Sequence, residues 1–308
     1  MHIPKQTFHH SVSHKKGFAL ILTLSALTVI IALAAVLVAY VDEARKDSSS
    51  SKAMIQGNLY YADIKKIFKG FKEKKTLYNT LYLSPIPFAS DDGRFSVIVA
   101  CKPLSAGVNI NWLAYGNEAN MTAQYDAVQK VFESIVQNYE IEDASRLEEL
   151  FMEEIGGQRK YVQNEQSRLR QKNGIISLKQ FRGILDRYQR EADDTKIGKV
   201  PWEKYFVFNE TSKDPRENLI DGDHISAELL AVLFDIDFAS VKEEWVEGGE
   251  LKTFVSNMGG SYDTKLFAKE FLAQTICDIA YDYEGERFSF RFEDIEGEVK
   301  HFEFFGKQ

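Results

Sequence analysis

The chain of 308 residues has only two cysteines, Cys101 and Cys277, and six histidines. Two cysteines make neither a disulfide framework nor a cysteine-rich zinc site. They leave two arrangements: one bridge, in an oxidising compartment, or two buried free thiols. His2, His9, His10 and His14 precede a long apolar run, so only His224 and His301 remain for the body of the chain. That is a poor supply of general bases and of imidazole metal ligands. No Gly-x-Ser-x-Gly, His-Glu-x-x-His, Walker or dinucleotide-binding pattern occurs. Positive charge is also short: 38 Lys and Arg face 46 Asp and Glu, a net charge of −8. The first 17 residues hold three lysines and no acid, so the remainder is more acidic still. This argues against a nucleic-acid partner, because phosphate binding needs clustered Lys and Arg. Adjacent acids in such a chain are solvated surface, and no catalytic residues or enzyme activity are expected.

Apolar length, by contrast, is plentiful. Lys15-Lys16-Gly17 is followed by 23 residues, Phe18 to Tyr40, without a formal charge. As a helix this run spans ~35 Å at ~1.5 Å per residue, enough to cross a hydrocarbon core of ~30 Å. The apolar part of a secretory signal is shorter, ~7–15 residues, and ends at a small-x-small cleavage site. Ala32, Ala34 and Ala35 mimic such a site, but the run continues past them to Tyr40. Lys5, Lys15 and Lys16 precede the run, and the mixed flank Asp42, Glu43, Arg45, Lys46 follows it. The positive-inside rule therefore places the N-terminus in the cytoplasm and the body outside. Three readings fit: a plain anchor, a discarded signal, or a segment cut between Gly17 and Phe18 and then kept.

Beyond the run, Ala53, Ile55, Leu59, Tyr60, Ile64, Ile67, Phe68 and Phe71 recur at helical steps, so the helix is expected to continue to about Lys75. The serines at 48–51 weaken it where it leaves the membrane. Pro85 and Pro87 end this region, and Asp91-Asp92-Gly93 signals a turn. Arg94 to Leu104 is β-branched and apolar and reads as a strand, followed by Val108 to Trp112 as a second. From Leu113 to Gln189 the pattern is helical. Tyr125, Val128, Val131, Phe132, Ile135 and Val136 share one face, and Ser177 caps a helix bearing Leu178, Phe181, Ile184 and Leu185. The polar stretch after Gly156-Gly157 is a loop or exposed helix, and Gly198 to Asn209 a strand-like return. In the tail, Phe288, Phe290 and Phe292 alternate with Ser289 and Arg291, and Glu284-Gly285 and Glu296-Gly297 mark hairpin turns.

Two charged clusters have open readings. Asn209 to His224 brings Glu210, Asp214, Glu217, Asp221 and Asp223 into one Pro- and Gly-bearing stretch. Ca²⁺ takes ~6–8 oxygen ligands, often from acidic loops, but the EF-hand pattern is absent. The stretch is a calcium loop or a plain acidic surface. Lys65, Lys66, Lys69, Lys72, Lys74 and Lys75 crowd the end of the neck helix. They complement its dipole, or meet acidic partners or lipid head groups, or capture DNA.

Lys15-Lys16-Gly17-Phe18 and the unbroken apolar run resemble the class III leader of type IV pilins and type II secretion pseudopilins. Glycine suits the cut, since a protease at the membrane face needs close backbone approach. The resemblance implies cleavage by prepilin peptidase and methylation of the new amine on Phe18. Most of that family carries a Glu at the fifth position after the cut; here it is Leu22. Lacking that Glu is a mark of the large minor pseudopilins of K type (general secretion pathway protein K family). Asn109-Ile110-Asn111 resembles the Asn-x-Asn at which K-type chains leave the sheet. Ser177's helix after Asn173-Gly174, and Asp221-x-Asp223 with Ser226, Ala227, Glu228 and Leu230, are similar to further K-type elements.

The resemblance implies an α+β fold with a long N-terminal transmembrane helix, a pilin-like antiparallel sheet and a large α-helical domain inserted between strands. The expected layout is a leader at 1–17, a membrane helix at 18–40 and the periplasmic part of that helix at 41–83. Sheet at 84–113, inserted helices at 114–235 and sheet again at 236–308 complete it. It implies a bacterial inner-membrane protein with a periplasmic body at the tip of a short pseudopilus, starting assembly with other minor pseudopilins. The secreted substrate and the outer-membrane secretin are further partners. Some K-type members bind calcium in the inserted domain, which puts forward Asp214, Glu217, Asp221 and Asp223. Two alternatives stand: a minor pilin of a type IV pilus or DNA-uptake filament, and a single-pass anchored periplasmic enzyme or binding protein.

Overall fold

The computed structural model of the chain describes residues 14–89, 96–156 and 174–307. The turn signal at Asp91-Asp92-Gly93 and the polar stretch 157–173 lie outside the described residues. The fold combines helices with an antiparallel sheet, an α+β arrangement headed by one long helix.

Helix α1 (His14–Gly70) runs for 57 residues, straight through the serines at 48–51. At ~1.5 Å per residue it is about 85 Å long. Helix α2 (Lys74–Leu83) follows after a three-residue break. Strands β1 (Ile86–Ala89) and β2 (Ser96–Pro103) pair antiparallel, and β2 pairs with β5 (Gln274–Tyr283). β6 (Glu286–Ile295) and β7 (Glu298–Lys307) complete a sheet of order β1-β2-β5-β6-β7. Both terminal hairpins turn on two residues, Glu284-Gly285 and Glu296-Gly297, with φ of 51° and 80° and of 56° and 86°. Two consecutive positive φ angles make the tight turn whose twist matches paired strands, and glycine adopts the second at no steric cost.

The core of this body lies between the sheet and the neck. Phe288, Phe290 and Phe292 are all buried, in the period of two that the sequence shows. On β5 the buried face is Thr275, Cys277, Ile279 and Tyr281, so Ile276 points the other way. α1 meets the sheet along Ala53, Gly57, Ile64 and Phe68. A Cβ at Gly57 would lie 2.8 Å from the Tyr281 hydroxyl, so a larger residue here would have to push that ring aside. The Tyr281 hydroxyl donates to the Ala53 carbonyl. Ile55, Leu59, Ile67 and Phe71, grouped with these by spacing, are instead 47–59% exposed. The sheet covers only one side of the helix, and these side chains sit around its flank.

Between β2 and β5 the chain builds a second body. Its helices are α3 (Thr122–Tyr139), α4 (Ala144–Ile155), α5 (Leu178–Ala192), α6 (Ala227–Phe234), α7 (Phe238–Glu244) and α8 (Leu251–Asn257). The N-caps at Ser177 and Ser226 form, each hydroxyl accepting an amide of the first turn. Two boundaries differ from the sequence-based layout. Val108, Ile110, Trp112 and Leu113 belong to this helical core, not to the sheet. At the other end Val241, Trp245, Leu251 and Val255 also join it, and the sheet resumes only at Gln274. The expected strand over Gly198 to Asn209 shrinks to β4 (Phe206–Val207), paired parallel with β3 (Val108–Asn109). Short 3-10 turns replace the rest, because Trp202 must turn inward to meet Phe151, Phe181 and Phe206.

Candidate functional site

The largest chemically distinctive feature is the outer half of α1. Leu20 to Gly70 is long and apolar enough to cross a membrane, and none of its most apolar window is buried in the protein. Leu20, Ile21 and Val36 are each 68% exposed, and the exposure runs all round the helix. By length and composition such a helix could cross a membrane. The polar side chains within the run are consistent with lipid. Thr23, Ser25 and Thr28 hydroxyls each donate to a carbonyl three residues earlier, at 2.8–3.0 Å. Their hydrogen-bonding demand is thus met inside the helix. Lys15, Lys16, Gly17 and Phe18 lie in the first turns of the same helix, and Leu22 is exposed on it.

Cys101 and Cys277 form a disulfide. The two residues face each other on the paired central strands β2 and β5, and they close a loop of 176 residues that contains the entire insert. The bridge therefore pins the two strand ends from which the helical body departs and returns.

The acidic stretch divides into two turns with different partners. Asp214 caps the turn Pro215–Glu217 and is gripped by Arg216, with Nη2 at 2.6 Å. That guanidinium holds the Asp214 carboxyl down at about 2. Glu217 is exposed on the same turn. Asp221 and Asp223 occupy the next turn, against α2. Asp223 pairs with Lys75 at 3.3 Å and accepts the Leu251 amide. His224 Nε2 bonds the Asn79 Oδ1 at 3.1 Å, and its ring meets Tyr82 edge-on. Among the described residues no group of three or more His, Cys, Asp or Glu side chains is placed to hold a metal ion. Of the four carboxylates put forward as calcium ligands, Asp214 is engaged by Arg216 and Asp223 by Lys75 and a backbone amide, while Glu217 is exposed and Asp221 is buried apart from them.

Asp221 is the outlier. It is 4% exposed, its amide donates to the Ser105 carbonyl, and its Oδ2 has no hydrogen-bond partner among the described residues. Burial pushes its carboxyl up to about 7, with the nearby Asp223 charge adding to the effect. The adjoining cavity, about 490 Å³, is lined by Lys75, Asp221, Asp223, Lys252, Tyr262 and Phe271, among others.

The Asn-x-Asn has a structural task. Asn111 Nδ2 donates to the Ile175 carbonyl, and its Oδ1 accepts the Ile175 amide. Asn109 Nδ2 donates to the Asn209 carbonyl and Oδ1. Three segments distant in sequence are thereby tied together. Within the lysine cluster, Lys74 donates to the Phe68 carbonyl near the end of α1, as the dipole reading expects, and Lys75 reaches Asp223. The contact surface on α2 formed by Lys75, Asn79 and Tyr82 has no signal in the sequence, since Lys75 and Asp223 lie 148 positions apart. No family model matches the chain, and a search of the curated proteins finds no match.

Proposed function

We propose that the protein is a minor pseudopilin of K type, built into the tip of a short periplasmic filament of a type II secretion system. The observation that carries this reading is Lys15-Lys16-Gly17-Phe18 at the head of a helix whose most apolar window is uncovered by the described residues. A plain anchor needs the apolar length alone. A filament subunit also needs the same helix to run on into the body and keep apolar side chains available to neighbouring helices. Ile55, Leu59 and Ile67, exposed on the neck, supply them. The disulfide suits a body in the oxidising periplasm, with the N-terminus in the cytoplasm. With Leu22 in place of an acid, this position offers no carboxylate to pair with a neighbour's N-terminal amine, which fits a subunit with no neighbour above it.

In this role the protein does no bond chemistry. It starts filament assembly with other minor pseudopilins, after prepilin peptidase has cut the leader, and presents its helical body to secreted substrate or to the outer-membrane secretin. Substitution of Gly17 by a bulky residue tests the processing step. Gly17→Leu is expected to accumulate as a precursor longer by the leader, resolved by gel mobility in cells that carry the peptidase. Normal processing of that variant would refute the site.

A further inference from the structure

Two hydrophobic cores coexist in this chain and share no buried residue. Every extensive element-to-element contact lies within the sheet body, including α1 and α2, or within the insert. The chain passes between them only twice, at 104–107 and at 268–273, and neither segment has regular helix or extended pairing. Away from these crossings, the side-chain contacts between the insert and α2 among the described residues fall on one turn, 221–224. The contacts there are polar or ring-edge: Lys75 to Asp223, Asn79 to His224, and Tyr82 against His224. A cavity of about 490 Å³ opens beside them, with Lys75 of α2 on one wall and residues of the insert on another.

We propose that the 221–224 turn is a latch, and that the helical insert undocks from α2 as a unit when the latch opens, moving about the two connecting segments. Apolar packing resists separation because it has no substitute in water, whereas polar contacts exchange for water at small net cost. The seam carries the second kind of contact and each body keeps the first kind internal. Asp221 favours opening: its carboxyl is buried in the docked state with Oδ2 unpaired among the described residues, and it is better solvated when the turn lifts away. The amide of Asp221 donates to the Ser105 carbonyl at the root of the insert, so its exchange reports on the turn when the α2 contacts open. A bistable seam of this kind lets one partner-facing body change orientation while the helix and sheet remain fixed.

Hydrogen exchange of the full chain in detergent micelles tests this. Lys75→Glu combined with Asn79→Ala removes the two polar latch contacts from the α2 side, keeps Tyr82, and leaves the insert sequence intact. Peptides covering 219–225 are expected to exchange about tenfold faster than in the wild type, the loss of one ion pair and one hydrogen bond. Peptides of α3 and α5 are expected to keep their rates. So is the fluorescence of Trp112, Trp202 and Trp245, all of which lie in the insert. Unchanged exchange at 219–225 would overturn the latch. An equal rise across α3 and α5 would also overturn it, because the insert would then be loosening internally instead of undocking whole.

Discussion

Replacing Cys101 and Cys277 by serine is expected to lower the stability of the sheet body by about 3 to 5 kcal/mol. The bridge joins residues 176 apart, and its main effect is to shorten the loop available to the unfolded chain. With both bodies unfolded, closing a loop of that length corresponds to about 5 kcal/mol. With the insert still folded, the open loop shrinks to the connecting residues, roughly 15–20 of them, and the figure falls to about 3 kcal/mol. The size of the loss therefore reports whether the insert holds together by itself. Denaturant unfolding followed by far-UV circular dichroism and by tryptophan fluorescence separates the two bodies, since Trp112, Trp202 and Trp245 all belong to the insert. The expected result is an earlier dichroism transition with the fluorescence transition little moved. A loss below about 1 kcal/mol would show that the strand ends at β2 and β5 stay together without the bridge.

Asp221→Asn is expected to stabilise the insert at pH 8 and leave it unchanged near pH 3. The carboxyl is held up at about 7, against 3.8 for the free side chain. A raised pKa means that the folded state favours the protonated form. The stabilising contribution is therefore complete below pH 3.8, declines as the unfolded chain ionises, and is gone once the pH passes about 7. That shift converts to as much as about 4 kcal/mol between the two limits. The asparagine does not titrate, so the variant lacks this decline. His224 also titrates in this range, but it is present in both proteins and cancels in the comparison. Tryptophan-monitored unfolding at a series of pH values should show two curves that meet in acid and diverge to alkali. Parallel curves would show that the Asp221 carboxylate is hydrated or paired in solution.

The elements that local chemistry governs were legible in the sequence. The glycines of the two Glu-Gly dipeptides mark their turns because the second position takes a positive φ that glycine adopts at no steric cost. The Phe288-Phe290-Phe292 alternation specifies its face, and Ser177 and Ser226 specify their helix starts. The apolar run announces itself by length alone. Features set by distant contacts were not legible. Ile55 and Leu59 have the spacing of Ala53 and Phe68, and only the position of the sheet decides which are covered. α7 and α8 fall in the stretch 236–308 read from the sequence as sheet, and only the burial of Val241 and Leu251 in the core of α3 to α6 assigns them to the insert. Of the acidic stretch, the sequence shows the carboxylates but not that Arg216 takes Asp214 while α2 takes Asp223. The buried Asp221 looks no different in the sequence from its solvated neighbours.

The N-terminus of the purified protein tests the central claim most directly. Intact-mass and peptide mass spectrometry of the membrane-extracted chain should find a first residue at Phe18, bearing one added methyl group on its amine. That result is expected of a segment cut at Gly17 and retained as the core of a filament subunit. A chain that still begins at Met1, or one cut near Ala35 at the far end of the apolar run, would contradict it and leave an anchored or secreted domain in its place.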